Sequence, residues 1–192
     1  MKALVVFAHP NPKSFNQALL DTVVDELIAK KHEVVVRHLY ALDFDPVLNS
    51  EDLEMLHAGT KPGDIAEEQE MVSWADTLIV IHPIWWWGAP AILKGWVDRV
   101  FSNGFAYTYG PKGPEGLLAG KKALVFTSSG SDENQWKAAG VFEAMDTLMI
   151  GGQFKFVGID VLQHKNFFAV PNVDDAARKA MLEEAKGIIQ GL

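Results

Sequence analysis

Three short stretches hold the side chains of this chain that can do chemistry on a small ligand. The first is His82-Pro83-Ile84-Trp85-Trp86-Trp87-Gly88-Ala89-Pro90-Ala91. Three successive tryptophans cannot all point into one core, and indoles in a concave site stack well on a flat aromatic ligand. The second is His9-Pro10-Asn11-Pro12-Lys13-Ser14-Phe15-Asn16, which lacks both Gly-rich phosphate signatures. Ser14 and Asn16, with the free amides of a helix N-terminus, nevertheless suit one phosphate or a pyrophosphate. Ser14 followed by Gln17 is equally well a capping-box spacing, and His9 suits either donation to an anion or support of the turn. The third stretch is Thr127-Ser128-Ser129-Gly130-Ser131, whose hydroxyls and amides can stabilise negative charge on a bound ring.

Position decides whether these stretches act together. Lys2 to Ala8 reads as a first strand, followed by a helix from Phe15 with the stripe Leu19/Leu20, Val23/Val24, Leu27/Ile28. Val34 to Leu39 reads as a second strand, and the β-helix-β order implies a right-handed crossover between parallel strands. Tyr40 to Pro62 shows no regular pattern. Asp64 and Glu67 offer a capping box for a helix running towards Trp74. The apolar run Thr77 to Ile81 predicts a strand buried on both faces. After the tryptophans, Pro90 fits a first helical turn, and Ile92, Leu93, Trp96, Val97, Val100 and Phe101 follow at helical spacing. Trp74 and Trp96 are therefore expected in the core. Phe105 to Tyr109 alternates aromatic residues. Lys121 to Thr127 predicts a fourth strand, Lys137 to Met149 a helix, Phe154 to Val161 a fifth strand, and Asp174/Asp175 the cap of a last helix.

Five strands alternating with helices predict an α/β fold, a flavodoxin-like three-layer α/β/α doubly wound parallel sheet of order 2-1-3-4-5. Residues 1-192 are read as a single domain. Ligands of such sheets bind at the carboxyl ends of the strands, where the loops after strands one, three and four converge. A phosphate site, a stacking platform and a donor-rich loop together describe a flavin pocket. The receiver domains of two-component signalling share the topology but need an acidic cluster after strand one, where this chain has His9-Pro10-Asn11.

Composition narrows the class further. The 192 residues are 48% hydrophobic and 22% charged, with a formal net charge of −8. That charge, without a basic cluster, argues against nucleic-acid partners. No apolar run approaches a membrane span and no signal peptide is visible, so a cytoplasmic location is expected. The absence of cysteine excludes disulfides, thiolate metal sites and a cysteine nucleophile.

Taken together, AHPNPKSFN (Ala8–Asn16), DFDP (Asp43–Pro46), HPIWWWGAPAILKGWVDRVF (His82–Phe101), GFAYTY (Gly104–Tyr109) and TSSG (Thr127–Gly130) resemble the flavodoxin-like NAD(P)H:quinone oxidoreductases, the DT-diaphorase family with its bacterial members. The resemblance spans nearly the full length. It implies that His9, Phe15 and Asn16, beside the Ser14 already read as a phosphate ligand, hold the phosphate and ribityl part of a flavin, and that Ile84, Trp85, Trp86, Trp87 and Thr127, Ser128, Ser129, Gly130 surround its ring. It also implies that Tyr107 and Tyr109 line the side where quinone reacts, Trp86 of the crevice loop being the third catalytic candidate, and that the protein is a homodimer with the active site at the subunit interface. NAD(P)H and a quinone would use one site in turn, giving ping-pong kinetics.

Three departures from the family's mammalian members stand out. Asn134-Gln135-Trp136 and Gly140-Val141-Phe142 occupy the places of a tyrosine and a histidine thought to stabilise the reduced flavin. The segment from Pro46 to Ile65 is shorter, and a C-terminal extension with a metal site is missing, so no metal is expected. The short segment favours FMN, whereas Arg178 looks like the family arginine that reaches the dinucleotide end of FAD; FAD is the expected cofactor, with FMN as the alternative. Some relatives are flavin-binding ancillary subunits of potassium-efflux systems, which makes regulation of an antiporter the alternative function. A flavodoxin-type electron carrier is disfavoured by the Tyr107/Tyr109 segment.

Overall fold

The central strand, Thr77–Pro83, has no exposed residue, and the remaining elements are arranged to cover it. The structure is a computed structural model and describes residues 1–192. In chain order its elements are β1 (Lys2–Phe7), α1 (Phe15–Ala29), β2 (Glu33–His38), α2 (Ser50–His57), α3 (Gly63–Trp74), β3 (Thr77–Pro83), α4 (Ala91–Val100), β4 (Tyr107–Gly110), β5 (Gly113–Gly116), β6 (Lys122–Ser128), α5 (Glu133–Ala138), α6 (Val141–Met145), a π-helical run (Asp146–Lys155), β7 (Asp160–Phe167) and α7 (Asp175–Gln190). Five strands form one parallel sheet in the order β2-β1-β3-β6-β7, while β4 and β5 pair separately as an antiparallel hairpin. Leaving the hairpin aside, this is the predicted 2-1-3-4-5 order.

The pleat divides the core in two. Leu4 and Val6 of β1 and Leu78 and Val80 of β3 face Val72 of α3 and Leu93 and Trp96 of α4. Ala3, Val5 and Phe7, with Ile79 and Ile81, face Leu19, Val23 and Leu27 of α1 and Ala185 and Ile189 of α7. Asp174 caps α7 by accepting the amide of Ala177 at 2.8 Å. Trp96 is buried as expected, its indole N–H donating to Glu68 at 2.9 Å; Trp74 is only half-buried at the margin of the same cluster.

Several expectations are corrected. The fifth strand is Asp160–Phe167, not Phe154 to Val161. Phe154, Val157 and Ile159 are buried because they belong to the helical run and the turn after it, packing on the α4 face. The true strand lies at the sheet edge, half exposed, and so carries few apolar residues for a pattern to reveal. The single helix expected over Lys137 to Met149 is broken at Gly140, which adopts φ 61°, and continues as the wider π-helical run. Asp64 does not cap α3; that end has no side-chain cap, and the Asp64 carboxylate binds Arg99 instead. The irregular segment contains α2, capped by Asn49.

That segment is tied down by one buried arginine. Arg99 Nε donates to Asp52 Oδ2 at 2.7 Å and Nη1 donates to the Asp45 carbonyl at 2.9 Å, with Asp64 closing the cluster. Pro46 then lies so close to Gly95 that a Cβ there would sit 2.1 Å from its carbonyl oxygen. The Asp-Phe-Asp-Pro motif is thus a structural anchor. The hydrogen bond from Arg99 holds the Asp52 carboxyl below its ordinary value, so the pair's stabilisation is present above about pH 4 and is lost as pH falls through the folded value. Asp52→Asn should cost about 3–5 kcal/mol at pH 7, because it leaves a buried guanidinium short of charge. Urea midpoints measured from pH 5.5 to 3 should then fall less steeply in the variant than in the parent.

Candidate active site

The carboxyl ends of β1, β3, β6 and β7 open on a cleft of about 370 Å³ lined by residues of four loops. From the first loop and α1 come His9, Ser14, Phe15 and Asn16; from the second Pro83, Ile84 and Trp85; from the third Ser128, Ser129 and Gly130; and from the last loop and the start of α7 Val170, Pro171 and Arg178. In a chain of net charge −8, this wall contains no carboxylate. Such a lining suits an anionic ligand.

The phosphate end is built from α1. Ser14 caps the helix, its hydroxyl accepting from Gln17 N–H at 3.1 Å, which leaves its own proton free. The Gln17 amide is taken by Ser14, which leaves the amides of Phe15 and Asn16, both residues of the cleft wall, without intrahelical partners. His9 Nδ1 accepts from Asn11 N–H at 3.0 Å, so the ring both holds the turn and leaves Nε2 as its free nitrogen. Burial lowers its pKa, so the ring is neutral near pH 7 and Nε2–H is a donor. Asn16 is buried; its amide donates to Ser128 Oγ at 2.8 Å while its Oδ1 has no partner. A buried acceptor without a partner costs stability unless a ligand supplies the hydrogen.

Arg178 reaches the same cleft, but most of its donors are engaged. Nη1 holds the carbonyls of Val170 and Val173, and Nε and Nη2 bind Asp175. Of five N–H groups, one on Nη2 remains for a ligand.

The aromatic end is strained. Trp85 and Gly88 exchange backbone hydrogen bonds of 3.0 and 3.1 Å around Trp86 and Trp87, whose φ angles are 49° and 63°. Positive φ at both central positions defines a type I′ turn, a conformation that favours Asn-Gly and is costly for bulky residues. Trp85 lines the main cleft and lies 5.7 Å from His9, whereas Trp86 is 98% exposed. Trp86 and Trp87 border a smaller adjoining cleft with Trp136, and Ile84, Ser129 and Gly130 belong to both.

Three expected residues lie elsewhere. Thr127 is wholly buried beneath its loop. Tyr107 and Tyr109 stand edge to face at 5.7 Å on β4 and line a separate cleft of about 580 Å³ with Phe101, Leu148 and Phe156. Within one chain that cleft shares no residue with the first. Val170 and Pro171 join the site without having been expected there, and Trp136 joins it from the stretch in which the resemblance found no ring-stabilising residue. The first two follow from the corrected position of β7, whose loop the topology carries to the same edge. Trp136 has no local signal beyond its proximity to the Ser/Gly loop; it is buried with its indole N–H unpaired, 5.7 Å from Trp87.

The fold agrees with the comparisons to known proteins. The family described as flavodoxin-like fold matches residues 1–189. A Haemophilus influenzae protein named as an uncharacterized NAD(P)H oxidoreductase is 38% identical over 188 residues, covering 96% of this chain and 92% of that one. NAD(P)H dehydrogenase [quinone] 1 of Cavia porcellus is 33% identical, covering 94% and 73%. Among solved structures, the NAD(P)H:quinone oxidoreductase of Methanothermobacter marburgensis superposes with a TM-score of 0.89 at 33% identity, over 98% of this chain and 95% of that one. The chain belongs to the flavodoxin-like NAD(P)H:quinone oxidoreductases and is an oxidoreductase of the NAD(P)H dehydrogenase (quinone) type.

Strain held by an exposed side chain points to a ligand role. Trp86→Asn should raise stability by about 1 kcal/mol, as relief of left-handed strain does, because the indole it removes has almost no contacts. Binding of a flat aromatic ligand should weaken in the same variant. Thermal melts together with flavin titration check both halves; a destabilised protein would contradict the strain assignment.

Proposed function

We propose that the chain is a flavin-dependent NAD(P)H:quinone oxidoreductase that holds FAD in the cleft and works as a homodimer by a ping-pong scheme. The observation that carries this reading is the acid-free cleft with an unpartnered Asn16 Oδ1 between a helix N-terminus and an aromatic wall. These residues fit a flavin. The α1 amides, Ser14 and His9 Nε2 would bind the phosphates, Asn16 Oδ1 would accept from a ribityl hydroxyl, and Trp85, Ile84 and the Ser128–Gly130 loop would hold the ring. The bound flavin supplies the chemistry, accepting a hydride from NAD(P)H and passing two electrons to a quinone. The protein's own contribution is to orient the ring and set the charge around it.

A chain alone leaves Tyr107 and Tyr109 in a cleft separate from this one. Their role on the quinone side therefore needs a second copy that brings its tyrosines over the partner's ring, which supports the dimer. The free Nη2–H of Arg178 supports FAD, since it offers the cleft one charged donor that could meet a second phosphate; FMN is the alternative. No helix is long and apolar enough to cross a membrane, and we place the enzyme in the cytoplasm.

Cofactor released by heat should run as FAD. Arg178→Ala should lower FAD affinity by about 1.5–3 kcal/mol, the range for a charged hydrogen bond, and weaken FMN much less. Equal losses for both flavins would show that the arginine only ties the Val170–Val173 loop. Tyr107→Ala should slow quinone turnover more than flavin reduction by NAD(P)H, as stopped-flow traces of the two half-reactions would show.

A further inference from the structure

Behind the Ser/Gly loop an unbroken file of side chains runs from the surface to the cleft. Asp146, at the start of the π-helical run, lies 2.6 Å from His164 Nδ1, and His164 Nε2 lies 3.0 Å from Thr127 Oγ1. Thr127 donates to Asn166 Oδ1 at 2.9 Å, and Asn166 Nδ2 donates to Ser129 Oγ at 3.0 Å. The β6–β7 register sets Thr127 opposite Asn166, and the pleat places His164, two residues earlier, on the same face. The His164 side chain is 3% exposed and that of Asp146 43%. Thr127, Asn166 and Ser129 are buried.

Counting protons leaves two directions open to the file, the first being the one in which Asn166 Oδ1 faces Thr127. The single Thr127 hydroxyl proton goes to Asn166, so His164 Nε2 must donate to Thr127. The Asp146 carboxylate only accepts, so Nδ1 must donate as well. In that first order both ring nitrogens carry hydrogen, which would make His164 an imidazolium beside Asp146. Downstream, Ser129 Oγ accepts from Asn166, and its own proton remains free for the cleft that Ser129 lines. The opposite order is also self-consistent: a neutral His164 accepting from Thr127, the Asn166 amide turned over, and Ser129 donating inward. The charge on His164 therefore selects whether Ser129 shows the cleft a donor or a lone pair.

We propose that His164 is a positioning residue whose charge, relayed through Thr127 and Asn166, makes the Ser129 hydroxyl a hydrogen-bond donor to an electron-rich edge of the bound ring. The titratable groups that meet His164 are Asp146, from the π-helical run, and His82, from β3. Burial pushes His82 down to about 4, with the His164 charge acting in the same direction, so His82 adds no charge near neutral pH. Lys165 pairs with Glu184 of α7, and Glu143, next to the Phe142 ring stacked on His164, lies towards Lys137. Asp146 thus supplies the counter-charge. The ligand end of this inference rests on the flavin reading; the His164 end does not.

The first test needs no flavin. Long-range ¹⁵N–¹H spectra of the histidine rings in the flavin-free protein at pH 7, assigned with His164→Gln, should show both His164 nitrogens protonated. Asp146→Asn should remove one of those protons. A neutral single-tautomer ring in the parent would overturn the proposal. The second test is a double-mutant cycle read by flavin fluorescence. Asp146→Asn should weaken flavin binding about three- to tenfold, the worth of one hydrogen bond. The loss should be restored by Asp146→Glu and should vanish in a Ser129→Ala background. Equal losses with and without Ser129 would overturn the relay. Parent protein that binds no flavin would overturn the proposed function and the ligand end together, while the ring spectra would still decide the His164 end.

Discussion

The site depends on a backbone hydrogen bond one step beyond the sheet, from Ile84 N–H to the Ser128 carbonyl at 2.7 Å. It continues the β3–β6 ladder after the last paired residues, Pro83 and Ser128, and binds the tryptophan loop to the hydroxyl loop. Ser129 N–H then donates to the Phe167 carbonyl at 2.9 Å, and Val170 N–H donates back to Ser129 at 3.0 Å. Three loops are joined edge to edge by main chain. Their side chains can therefore vary in chemistry while the loops keep their places, which is how a common scaffold comes to host different activities.

Stability and ligand chemistry are kept apart in this arrangement. Apolar packing on both sides of β3 and the Arg99 cluster stabilise the body of the fold, away from the cleft. At the cleft, polar atoms lie unpartnered and a tight turn holds two tryptophans at positive φ. Sites commonly retain such local costs because the surrounding structure offsets them.

Legibility in the sequence follows burial. The doubly buried β1, β3 and β6 are readable because a short, unbroken apolar run between turn residues must be covered on both faces, as a central parallel strand is. The tryptophan loop is then placed by its neighbours, β3 before it and α4 after it. The edge strand β7 is not readable, since half its residues face solvent and the apolar signal before it belongs to a helical run. That one displacement also hides Val170, Pro171 and the Asn166–His164 pair. Gly140 and the π-helical run defeat a helix prediction based on a period of 3.6. Arg178 is recognisable by resemblance, but its bonds to the Val170 and Val173 carbonyls have no sequence signature.

The Arg99 cluster also bears on how this architecture tolerates change in length. Asp45, Asp52 and Asp64 are held by one guanidinium, and Pro46 is seated on Gly95. The chain between His57 and Gly63 leaves and returns at fixed points. Closing a longer excursion there would cost only about 0.6 kcal/mol for each doubling of its length. This stretch is a natural position for insertions, through which descendants of the fold could acquire walls for larger ligands without disturbing the strand ends.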